Sequence, residues 1–167
     1  AAELIAGPRK AVKGPFIALL RTPALLERVQ KLGEVLRFRT SLPPRLAEFA
    51  TLVVARQWTQ QFEWAVHVPL ARAAGVQPET LDALAQGRRP VGMADDEACV
   101  HDFVTELTRY HGVSDATYAA ACRRLGEAGV VELTALAGYF AMVSAVLNVA
   151  GTPAEPSDVA PLPGLPA

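Results

Sequence analysis

Residues 130–150, VVELTALAGYFAMVSAVLNVA, are apolar on almost every side of a helix. Such a helix must be covered nearly all round, by its own fold, by another subunit or by lipid. The run is about long enough to cross a bilayer. Glu132 near its start, Asn148 near its end and the lack of a basic flank point instead to a buried helix and to no membrane partner. A chain of 167 residues, 51% of them hydrophobic, can bury a core of its own. It has little left to wrap a helix of this kind completely, so a neighbouring subunit is the expected cover and a homo-oligomer is predicted.

The preceding chain reads as a series of helices. Residues 1–21 mix Gly7, Pro8, Gly14 and Pro15 with short apolar pieces, which predicts an irregular arm with one short helical turn. Thr22-Pro23 is a helix start, with Thr as N-cap and Pro at the first helical position. Leu25, Leu26, Val29, Leu32, Val35 and Leu36 follow at helical spacing, giving an amphipathic helix over 23–38. Ser41-Leu42-Pro43-Pro44 separates it from a helix over about 44–56. Thr59 is placed to cap the next helix, about 60–74, which Pro69 should kink just after His67 and Gly75 should end. Short helices follow over 78–86, 95–110 and 114–125, the last with Ser114 as its cap. Gly126–Gly129 should turn the chain into the apolar helix, which Gly151 closes. From Thr152 five prolines give a short tail, either disordered or an extended strap on a neighbour. No run alternates like a strand, so the fold class is all-α, one domain over 1–151 with a Pro-rich tail over 152–167.

Three ionisable residues fall in the apolar part of this series. Glu48 lies within the run 46–55, and Glu63 and His67 are four apart, one turn from each other on one helix face. A carboxylate beside an imidazole is the simplest side-chain unit that moves a proton near neutral pH. Each residue also has a plain structural reading. Glu48 fits an exposed ion pair with Arg45, and periodicity alone favours it; Glu63 and His67 fit an exposed pair beside Gln60. Against the second reading stand Trp58, Phe62, Trp64, Val66 and Val68, which surround the polar positions. His101 reads as a surface residue and His111 as a helix-end cap. Tyr139 and Asn148 are either satisfied core groups or part of the same cavity.

A net charge of -1 and the lack of a basic run with aromatics exclude a nucleic-acid surface. Cys99 and Cys122 have no metal or redox spacing. With AAELIAGPRK lacking the apolar run of a signal peptide, the expectation is a cytoplasmic protein with two thiols. No histidine, cysteine and carboxylate cluster has zinc spacing, and no glycine-rich phosphate loop or nucleophile elbow occurs, so neither metal nor cofactor is implied.

Four stretches carry a resemblance: GPFIALLRTP at 14–23, SLPPRLAEFATLVVAR at 41–56, QFEWAVHVPLARAAGV at 61–76 and GYFAMVSAVLN at 138–148. In this order they resemble the carboxymuconolactone decarboxylase family, over roughly residues 5–151. The resemblance implies an AhpD-like helical domain with a central helix pair and a long apolar C-terminal helix. It also implies trimers or hexamers, with the site near a subunit contact. A sister branch, the alkyl-hydroperoxide reductase partners, uses a Cys-x-x-Cys pair, a following histidine and an upstream glutamate. His67 and Glu48 match the last two, but the cysteine positions hold Gln60 and Glu63. What remains is an acid–base site of His67, Glu63 and Glu48, with Trp64, Phe62, Gln60 and Tyr139 as substrate-binding candidates. The implied activity is decarboxylation of a small carboxylated lactone or oxo-acid. Two alternatives stay open: a peroxidase-type redox role, and a non-catalytic oligomeric protein that binds a small molecule.

Overall fold

A computed structural model describes residues 11–154 and 156–164. The first ten residues of the predicted arm, and Pro166 of the tail, lie outside them. Among the described residues there are seven helices and no strand. They are α1 (Pro15–Leu19), α2 (Pro23–Phe38), α3 (Pro44–Gln57), α4 (Gln61–Ala73), α5 (Pro78–Ala85), α6 (Asp95–Tyr110) and α7 (Asp115–Ala150). Proline opens α1, α2, α3 and α5, where its missing N–H is not needed. Thr22 occupies the N-cap of α2 without its side chain capping it. The helix α4 continues through Pro69 to Ala73.

The centre of the molecule is α3. It packs on α4, α6 and α7, and Phe49, Ala50, Leu52 and Val54 have no exposure at all. Its Arg45 clasps α6 by pairing with Asp96 and Glu97 in that helix's first turn. Helix α7 breaks once, at Gly126 (φ 71°, ψ 169°), a conformation open essentially only to glycine. The predicted turn over Gly126–Gly129 is therefore a single residue, and Gly129 lies inside the helix.

Beyond the break, Leu133, Leu136, Phe140, Val143 and Leu147 form the buried face of α7. The opposite side shows Val131 (68% exposed) and Val149 (91%). Helix α7 is the one described helix long and apolar enough to cross a membrane by length and composition, and half of its most apolar stretch is buried within the chain. Helix α2 also divides its apolar residues. Leu26, Val29 and Leu36 enter the core, while Leu25, Leu32 and Val35 stay about half exposed.

The cap of α4 is Gln60, not Thr59. The Gln60 side-chain oxygen accepts from the backbone N–H of Phe62 (2.6 Å) and Glu63 (3.2 Å). Thr59 sits at φ 46°, and its hydroxyl accepts from Arg56. The described part of the tail is a strap on its own chain. The Gln61 amide donates to the Leu162 carbonyl and accepts from the Leu162 N–H, both at 2.9 Å. Arg56 donates to the Pro163 carbonyl at 2.7 Å, and Leu162 is buried.

Candidate functional site

The short turn between α3 and α4 brings Glu48 of the first helix against His67 of the second. His67 Nδ1 donates to Glu48 Oε2 at 2.5 Å, and Nε2 lies 3.3 Å from Glu63 Oε2, one helical turn back. The exposed pair of Glu48 with Arg45 does not form, since Arg45 turns to α6. His67 and Glu63 are buried, and Glu48 is partly so. The Phe140 ring of α7 packs on the imidazole nearly at right angles, centroids 5.0 Å apart.

Two acceptors facing two ring nitrogens suit the doubly protonated imidazolium. Burial alone would lower the His67 pKa. The hydrogen bond to Glu48, then Glu63 and the two negative charges, outweigh burial and hold it above the ordinary 6.5.

Glu63 and His67 stand in the wall of a cavity of about 350 Å³. Phe16, Phe62, Tyr139 and Phe140 form its aromatic sides, and Arg37 and Lys13 add cations. Among the described residues no three His, Cys, Asp or Glu side chains are arranged to hold a metal ion. Residues 23–100, which carry the whole Glu48–His67–Glu63 group, match the profile of the carboxymuconolactone decarboxylase family. These residues are similar to that family. No curated protein matches the chain.

Of the remaining candidates, Phe62 and Tyr139 line the cavity and Trp64 and Gln60 do not. Trp64 belongs to the core cluster. Both ends of the Gln60 amide are engaged, the oxygen at the start of α4 and the nitrogen at Asn148 Oδ1 (2.9 Å). Asn148 in turn donates to the Trp58 carbonyl, so it fastens α7 to the α3–α4 turn and does not face the cavity. Tyr139 is both buried and in the wall. His101, expected at the surface, is buried beside the Phe49 ring, with Nδ1 3.0 Å from Asp102. His111 ends α6 at its C-cap, as expected.

Sequence reasoning missed Phe16, Arg37, Phe140 and Val143. Phe140 follows Tyr139 on the apolar helix, where one more aromatic reads as core. Arg37 in the last turn of α2 reads as an ordinary partner of the helix dipole; nothing in one sequence marks it otherwise.

Proposed function

We propose that the protein is a cofactor-free carboxy-lyase acting on a small carboxylated lactone or oxo-acid. The observation that carries this reading is His67, buried between two carboxylates in the wall of an aromatic cavity. When the C–C bond to the carboxylate breaks, its electron pair passes into the conjugated carbonyl of the substrate and carbon dioxide leaves. The resulting enolate then takes a proton at carbon, so one proton is consumed per carbon dioxide released. Glu48 holds Nδ1 and orients the ring, and the Nε2 side, shared with Glu63, supplies the proton. The aromatic walls limit water around the enolate.

Neither Cys99 nor Cys122 lines the cavity, so turnover should survive the double change Cys99→Ser with Cys122→Ser. Loss of turnover in a folded double variant would favour the redox alternative. The direct test measures carbon dioxide release from a panel of carboxylated lactones and β-oxo acids. His67→Ala should lower the rate about a hundred- to ten-thousand-fold. Adding Glu63→Ala should cost little more, because the two act as a unit. Losses that simply multiply, or a fully active His67→Ala, would refute the assignment. The same reading makes the protein a homo-oligomer of three or more chains, in the reducing cytoplasm where its two unpaired thiols persist.

A further inference from the structure

Arg37 closes the last turn of α2 and stands in the cavity wall with Glu63 and His67. Its guanidinium lies over the Phe38 ring, 5.1 Å from the centroid. Its Nε is buried with no hydrogen-bond partner, and among the described residues it has no carboxylate partner. A buried donor left unpaired costs free energy, and a guanidinium in a partly dry cleft is a strong receptor for a planar anion.

The charge balance of the cavity points the same way. Two carboxylates, Glu48 and Glu63, flank the single imidazole of His67. A small carboxylic acid is ionised near neutral pH and would be repelled by that group alone. An opposing cation must therefore face the ligand; Lys13 and Arg37 both line the cavity, and Arg37, on α2, is the one with a planar fork.

We propose that Arg37 is the anion-binding residue of this cavity, receiving a carboxylate of the ligand in its fork. The body of the ligand then lies between Phe16, Phe62, Tyr139 and Phe140, with its other end toward His67. The pairing acts on binding and not on the chemical step. It deepens the lyase reading, on which it rests for the nature of the ligand, but it is measurable without turnover.

The probes are laevulinate, a small oxo-carboxylate, and its neutral amide, titrated calorimetrically into the full chain at neutral pH. The parent should bind laevulinate at least about tenfold more tightly than the amide. Arg37→Met, checked for fold by circular dichroism, should lose that preference. Arg37→Lys should keep only part of it, because an ammonium retains the charge without the fork. Equal binding of both probes by the parent, binding of neither, or an undiminished preference in both Arg37 variants would overturn the proposal. A preference that depends on Arg37 in a protein that releases no carbon dioxide from any panel compound would leave the anion site standing and remove the lyase reading.

Discussion

Both nitrogens of His67 face carboxylates, so taking a proton off the ring leaves one acceptor without a donor in a buried place. The folded-state pKa therefore lies above the ordinary 6.5. A raised pKa means that the stabilisation is complete below about 6.5 and is lost as pH rises through the folded-state value. Urea unfolding of the parent and of His67→Gln, between about pH 5.5 and 9, should show the largest gap at the acid end. A gap that widens with pH would mean that the ring is held neutral. Gly14 controls the other side of the cavity. It sits at φ 55°, and a Cβ there would fall no more than 3.0 Å from three carbons of the Phe62 ring. Gly14→Ala should cost about 1–3 kcal/mol in thermal or urea melts and displace Phe62 from the wall. At this scale Glu63 and His67 were legible, because four residues of helix put them on one face. The partner of Glu48 was not, since choosing between Arg45 and His67 depends on how two helices pack.

Helix limits were readable because proline and glycine punctuate this chain, and the predicted ends of α2, α3 and α6 agree with the structure to within a residue. The α4 cap was misassigned to the better capping residue type. The chain leaves α3 with Thr59 at positive φ, and that conformation sends the next side chain, Gln60, back to the free N–H groups. The tail was legible as non-helical from its prolines, but where it docks is a long-range matter. Its anchor is a side-chain amide imitating a strand partner, with Gln61 meeting both backbone groups of Leu162. Gln61→Ala should free that contact at a cost of about 0.5–2 kcal/mol and speed exchange of the Leu162 amide hydrogen. Turnover should be unchanged, since Gln61 is not in the cavity wall. Protection of Leu162 equal to the parent's would show that burial of its side chain alone holds the strap.

Within one chain the apolar surface is not fully used. Leu25, Leu32 and Val35 recur at helical spacing along one exposed side of α2, Ile17 and Leu20 of α1 are about half exposed, and Val131 and Val149 project from α7. Exposed apolar residues in rows of this kind mark contact surfaces more often than isolated ones do. The sequence raised the need for a cover over α7, and the structure locates what stays uncovered without supplying the cover. Light scattering at micromolar concentration should therefore give three or more chains per particle, and a stable monomer would refute the oligomer. Leu32→Glu is the discriminating variant. Its side chain is already half in water, so the change should alter the stability of the single chain by no more than about 0.5 kcal/mol. If α2 lies in a subunit contact, the buried charge should dissociate the assembly. Phe38, at the end of the same helix, is half exposed and also lines the cavity. A subunit seated on α2 would shield that wall from water, and turnover of Leu32→Glu should fall with dissociation even though every residue of the acid–base group is intact. Dissociation with undiminished turnover would show that one chain completes the site by itself.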